Sequence, residues 1–411
     1  MSNKHIFFIV IFAVCLAQNV FAQGTVAVSP YSAYGIGDLF PMSSIRQVGM
    51  AGVGIGLSDA ASLNLSNPAS YADIQLTCFD FSGYFNLVKQ RTSNEQVTQY
   101  SGGLNCLAFA FPSRKKFGLG FGFAPYSVTG YRFRQVETRY LDTIQFTNNL
   151  FRQADGGLNR VFLGAGIRVS KKLSIGPEFA FIFGTTNYYH SSVPTISNAA
   201  AVEFQNRVYA NGFLGRFGLF WKDSLNTKQA YSIGFTSELA TNLTAENRLI
   251  NYYVSDTLYS TRGKITLPML FGLGLGVSAK TYRLGLDVSW QDWTKFKYLE
   301  RQDSLMQKWH IRLGGEFLPA VTAGSYFSKV DYRAGLFYEQ GYLNLRGYQL
   351  QHFGISVGAG FPLPRSFSRV HCGIIFGTKG TTQNKLLQEN YLKVYLGVGF
   401  VERWFVKRKI E

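Results

Sequence analysis

The chain has 411 residues, a net charge of +17, 16% aromatic against 16% charged residues, and a mean hydropathy of zero. With 43 Gly, 36 Phe and 24 Tyr it suits a soluble β protein or an outer-membrane barrel, and composition alone does not separate the two. No run of 18 or more apolar residues follows the N-terminal leader, which argues against helical membrane spans, and four sparse cysteines argue against a disulfide framework.

Lys4 precedes an apolar run from Ile6 to Leu16, and Val20-Phe21-Ala22 supplies a cleavage site before Gln23. Residues 1–22 therefore read as a signal peptide, which argues against nucleic acid as the partner for the basic charge. Val14 and Phe12 fit a lipid-attachment site at Cys15 poorly. Residues 23–73 follow, with Gly35, Gly37, Gly49, Gly52, Gly54 and Gly56, little alternation, and short helical turns expected over Ser43–Val48 and Ser58–Asn64. Hanging free in the periplasm, the Ile, Leu, Val and Met of this segment would have nothing to bury against; inside a barrel they would.

From residue 74 onward the pattern changes to a period of two. Phe117, Leu119, Phe121 and Phe123 share one face, as do Val161, Leu163, Ala165, Ile167 and Val169 opposite Arg160 and Arg168. Leu267, Met269, Phe271, Leu273, Leu275 and Val277 alternate with Pro268, Gly272, Gly274 and Gly276; Leu284, Leu286, Val288 and Trp290 alternate with Arg283, Gly285 and Asp287. The rule recurs at Phe353–Phe361 and Leu392–Phe400. No helix keeps such sets apart, and apolar against Gly, Ser or charge implies a lipid face and a lumen face. Trp290, Trp293, Trp404 and many Tyr near strand ends fit the aromatic belts of a membrane barrel.

Tight basic or Pro-containing turns lie at 112–116, 169–173, 222–228, 279–282, 319–328 and 362–369, and outer loops centre near 93, 140, 196, 256, 303, 347 and 383. Seven hairpins give an all-β fold, a transmembrane antiparallel barrel of about fourteen strands, some longer than the 9–11 residues a bilayer requires. The aromatic-rich last strand is followed by a charged tail, 406–411.

No HExxH or CxxC occurs, and His190, His310, His352 and His371 are scattered, so neither an enzyme, a metal nor a cofactor is expected. Arg283 and Asp287 on one strand, and His310, Arg312 and Glu316 on the next, point inward. An ion-pair network facing the N-terminal segment is the favoured reading over an ester-hydrolysing site. Cys78 and Cys106 fall on inward faces of the first two strands, where either a cross-strand disulfide or two buried thiols fits.

The run Ser44-Ile45-Arg46-Gln47-Val48-Gly49-Met50-Ala51-Gly52-Val53-Gly54, then Ser58-Asp59-Ala60-Ala61-Ser62, then Asn67-Pro68-Ala69, resembles the N-terminal hatch of the FadL/TodX family of hydrophobic-compound transporters. The resemblance implies a hatch or plug over 23–73, a barrel over 74–405, and a multi-pass location in the bacterial outer membrane, in contact with its lipid. It implies passive uptake of a fatty acid or hydrocarbon through an apolar pocket and a lateral opening at a kink in the third strand. Pro125 and Gly130 are the candidates for that kink; the alternative is that Pro125 only marks where the strand leaves the bilayer. PorV-like relatives of this layout imply a second role, as partner of an outer-membrane secretion or assembly complex. Asn67, Pro68 and Ala69 form the joint between plug and wall, as a hinge or as an anchor.

Overall fold

A computed structural model describes residues 29–113, 116–141, 144–196, 200–251, 257–319 and 325–403. The signal peptide, Trp404 and the charged tail lie outside the described residues. Fourteen antiparallel strands form a closed barrel. They are β1 (Thr77–Arg91), β2 (Gln96–Ser113), β3 (Phe117–Leu141), β4 (Ile144–Arg168), β5 (Leu173–Pro194), β6 (Val202–Ser224) and β7 (Gln229–Glu238 with Thr241–Asn251). The ring continues through β8 (Thr257–Leu267 with Leu270–Ala279), β9 (Tyr282–Asp292), β10 (Gln307–Phe317), β11 (Asp331–Leu345), β12 (Tyr348–Pro362), β13 (Arg369–Gly380) and β14 (Gln388–Glu402). It closes where β14 pairs with β1, from Gln388 opposite Arg91 to Glu402 opposite Thr77. The connections of one end fall at the basic turns read from the sequence, the end read as periplasmic.

Alternation places the strands as expected. On β12, Phe353, Ile355 and Val357 are exposed on the outer wall while Ser356 between them is buried, and Phe271, Trp290 and Trp309 form an outer aromatic ladder across β8, β9 and β10. Two expectations fail. Leu267 does not share a face with Leu273: it is buried inside with Ile265 and Leu243, because the interruptions at 239–240 and 268–269 shift the inward parity. Trp293 is not a membrane-belt residue, for the chain turns inward after β9 and stacks its indole on Tyr342 with centroids 4.3 Å apart. Cys78 lies opposite Ala110 and Cys106 opposite Ser82, because the hairpin turns between Arg91 and Gln96; both are free, buried thiols.

The barrel is lopsided. β3 and β4 have 25 residues each, β5 has 22 and β6 has 23, against 11 in β9 and β10, so one side rises beyond the bilayer. β3 also leaves its neighbour. It pairs with β2 only from Phe117 opposite Ser113 to Phe123 opposite Leu107, although β2 extends to Gln96. Pro125 lacks the N–H that a ladder needs, a register shift against β4 follows between Pro125 and Ser127, and the whole of 124–130 is buried instead of alternating. The edge so freed accepts Asp38 and Leu39 of the N-terminal segment, opposite Val128 and Ser127.

Residues 29–76 lie inside the ring, hydrogen-bonded to walls on opposite sides, from Asn105 on β2 through Arg216 on β6 to Ser356 on β12. Ile45–Val48 forms one helical turn, capped by a reciprocal pair between Ser44 and Gln47. Ser58–Asn64 is not helical, contrary to expectation: Asp59 bonds the amide of Ala61 and Asn64 spends its amide group on Gly54 and Leu57 carbonyls, so side chains satisfy the backbone there. A 3₁₀ helix, Pro68–Asp73, ends the segment.

Candidate functional site: the plugged lumen

Inward-facing glycines let the plug backbone lie directly on the wall. A methyl group on Gly274 of β8 would overlap the backbone of Gly56, one on Gly176 of β5 that of Ala69, and one on Gly314 of β10 that of Met50. At Gly52, φ of +80° turns the plug so that its carbonyl accepts a 3.0 Å bond from Arg312. Gly49 sits against Gly358 and Arg333, and the amides of Gly54 and Ile55 both donate to one carboxylate oxygen of Asp287, at 2.8 and 3.0 Å.

The charged residues singled out in the sequence divide among three places. Glu316 is the hub of the first: Arg46 reaches it with two nitrogens at 2.8 and 2.6 Å, Arg333 at 2.6 Å and Arg283 at 3.5 Å, while Arg46 and Arg283 also hold Asp59. Asp287 and Arg312, 3.7 Å apart, form the second with the plug amides. His310 belongs to neither; it stands nearer the outer end, 3.6 Å from Glu339, which Lys308 holds at 3.0 Å. Sequence reading named Arg46 and Asp59 only within the hatch-like run and missed their ion pairs, and it missed Arg333 and the buried triad in which Arg216 binds Glu178 at 2.6 Å and Tyr71 donates to the same carboxylate. Arg216 and Glu178 occupy inward positions of apolar strands, a signal that alternation could have supplied.

Burial by itself would push the Asp59 carboxyl up and the Arg46 guanidinium down. Their mutual attraction, with Arg283 on Asp59 and Glu316 on Arg46, outweighs it, leaving Asp59 well below the ordinary carboxylate range and Arg46 above its usual value. Both are charged at neutral pH.

Asn67 is fully buried. Its side-chain oxygen accepts from the amide of Ala69 at 3.0 Å and caps the 3₁₀ helix, while its nitrogen donates to Ile55 of the plug and Leu219 of β6, each at 2.9 Å. Pro68 and Ala69 are likewise buried. Pro125 lies at the bend of β3, and Gly130 beyond it exchanges bonds with the plug: its carbonyl accepts from Ser29 N at 2.8 Å and its amide donates to Ser32 at 3.0 Å. Among the described residues no group of three or more His, Cys, Asp or Glu could hold a metal ion.

The BamG family model matches residues 1–411, the whole chain. The chain belongs to the BamG family. No curated protein sequence matches it. Among solved structures, this BamG-family chain is similar to a Pseudomonas aeruginosa FadL homologue, with a TM-score of 0.58 and 12% identity over 88% of this chain and 99% of that one. It is similar to the P. putida toluene transporter TodX, with a TM-score of 0.56 and 16% identity over 89% and 99% of the two chains. The CymD monoaromatic hydrocarbon channel gives 0.53 at 15% identity over 90% and 99%. These likenesses establish the fold, an outer-membrane barrel of the FadL type.

Within the BamG-family barrel the plug leaves lumen cavities that include one of ≈ 200 Å³ and one of ≈ 150 Å³, on the two sides of Leu39-Phe40-Pro41. Both are walled by Lys308, His310, Arg312 and Glu339 alongside apolar groups such as Leu39 and Phe40. The walls of both cavities are chiefly apolar, with these four charged or titratable side chains set into them.

Proposed function

We propose that this BamG-family chain works as a closed, membrane-embedded partner of other outer-membrane proteins, in an assembly or secretion complex. Its units are a plug over 23–73 and a barrel over 74–405, with Asn67-Pro68-Ala69 acting as the anchor between them. The observation that carries this reading is the plug's attachment. Arg46 is tied to Glu316, the Gly54 and Ile55 amides to Asp287, and Leu65 to Arg216, all out of water. Orphaning a buried ion of the Arg46–Glu316 kind costs about 3–5 kcal/mol, and with the hydrogen bonds at Asp287 and Arg216 added to it the plug does not swing aside in thermal motion. The tall sheet of β3 to β6 gives the closed barrel a surface on which partners can act.

One observation favours a second reading, passive uptake of a hydrophobic small molecule. The wall between β2 and β3 is unpaired beyond Phe123, as a lateral exit near Pro125 and Gly130 requires, and the similar solved structures include the toluene transporter TodX and the CymD monoaromatic hydrocarbon channel. Partition would drive such a route by about 0.8 kcal/mol per CH₂. Against it stand the Asp38-Leu39 strand that takes up the β3 edge and the charged side chains set into the lumen cavities.

Extraction of outer membranes in mild detergent, followed by native electrophoresis, tests the partner reading. The chain should migrate in a discrete species well above its own 46.0 kDa, containing other proteins in fixed ratio. A monomer that binds and takes up a hydrocarbon saturably would instead establish the second reading.

A further inference from the structure

A cavity of ≈ 760 Å³ lies below the lumen network and shares only Asp59 and Arg283 with it. It opens at the periplasmic end, with Ser58, Ala60 and Gln75 of the plug as its ceiling and the β4–β5, β6–β7 and β8–β9 turns as its sides. Six cations border it, Arg168, Lys171, Lys172, Lys222, Lys228 and Arg283, against three carboxylates, Asp59, Asp73 and Asp223.

Those carboxylates are already engaged. Arg46 and Arg283 hold Asp59, Arg168 holds Asp73 with Lys222 at 3.8 Å, and Lys172 holds Asp223 at 2.6 Å. Lys171 and Lys228 are exposed and have no acidic partner within 4.0 Å among the described residues, so a surplus of three positive charges faces the opening. A concave mouth of one sign concentrates field and selects the opposite charge.

We propose that this mouth docks an acidic segment of a periplasmic protein. Lipid phosphate is disfavoured because the cavity lies within the ring, under the plug, whereas head groups of the periplasmic leaflet meet the outer wall. The surplus charge sits at three separate places, Lys171 on the β4–β5 turn, Lys228 on the β6–β7 turn and Lys222 near the end of β6, a spacing suited to an extended chain carrying several carboxylates rather than to one small anion. The proposal deepens the partner reading and rests on it.

The test uses the full chain in neutral detergent and a fluorescein-labelled peptide of alternating Asp and Ser, titrated by anisotropy. The peptide should bind in 50 mM salt and weaken at least tenfold in 300 mM, as exposed charge pairs are screened. Lys171→Glu with Lys228→Glu should weaken it at least tenfold. Arg365→Glu with Lys329→Glu, on the β12–β13 and β10–β11 turns outside the cavity, should change it less than twofold. Heat-modifiable gel mobility checks that each variant is folded. Equal binding of a Lys-Ser peptide, or complete displacement by millimolar inorganic phosphate, would overturn the acidic-segment assignment. Absence of binding while the native complex persists would overturn the mouth alone; absence of both would overturn the partner reading with it.

Discussion

Glu316→Gln is the substitution to which the plug should respond most strongly. Glu316 is wholly buried on its side chain and faces three guanidinium groups, Arg46, Arg333 and Arg283. Glutamine keeps the shape and one acceptor oxygen but removes the negative charge. Asp59 still serves Arg46 and Arg283, and Asp331 still lies 3.3 Å from Arg333, so the cost falls at the lower end of that for a broken buried pair, about 3–4 kcal/mol. At 1.4 kcal/mol per decade, the population with the plug released rises roughly 10²- to 10³-fold. Trypsin reads this population, because Arg46 is cleavable only once the segment leaves the lumen, and cleavage slower than reclosing tracks the opening equilibrium. Wild-type protein in detergent should be cut after Arg46 slowly, and the variant faster by two to three decades, with barrel mobility on gels unchanged. A variant rate within threefold of wild type would refute the claim that this cluster holds the plug.

Asn67→Ala removes a cap and two donated bonds, and should raise the same trypsin rate roughly tenfold, the equivalent of about 1–2 kcal/mol; an unchanged rate would leave the joint as a hinge rather than an anchor. Gly274→Val places side-chain atoms where the Gly56 backbone lies, so the plug should fail to seat, and planar-bilayer recordings should show an open pore in place of a closed barrel. For pH the sign follows from Asp59, whose folded pKa lies below its unfolded value. Its contribution is complete above the ordinary carboxylate range of about 3.9 and is lost as pH falls through the lower folded value. Exchange of the Ala61 amide, which donates to Asp59, should therefore keep constant protection from pH 7 to pH 5, after correction for intrinsic rates, and lose it only below about pH 3.9. Loss already at pH 6 would contradict the assignment.

The wall was legible because a barrel strand exposes its physics locally. Phe353, Ile355 and Val357 declare one face whatever the distant chain does, and Pro268 and Pro125 mark where that regularity stops. Arg283, Asp287, Arg312 and Glu316 were legible as inward charges for the same reason. Their partners were not, because Arg46 and Asp59 belong to a segment with no period, and only folding across more than two hundred residues brings Arg46 to Glu316. The glycines at 274, 276 and 314 read simply as the small side of a strand, whereas their size is set by plug backbone lying against them. The β1–β2 register escaped for a further reason: the hairpin turns between Arg91 and Gln96, later than a Cys78–Cys106 pair requires, and the irregularity at Ser82/Gly83 adds one residue more, so Cys78 faces Ala110.

The central claim, a barrel that acts with its lumen closed, is tested most directly by locking the plug. Val48→Cys with Gly373→Cys joins the plug helix to β13, where a Cβ on Gly373 would lie 3.3 Å from the Val48 side chain, in a chain whose Cys78, Cys106 and Cys372 are alanine. Uptake of oleate and of toluene into liposomes is then measured for the oxidised and reduced forms, beside assembly of each form into the native complex. The account predicts equal, background uptake in both forms and full complex assembly by the oxidised one. Saturable uptake by the reduced form that oxidation abolishes would contradict it.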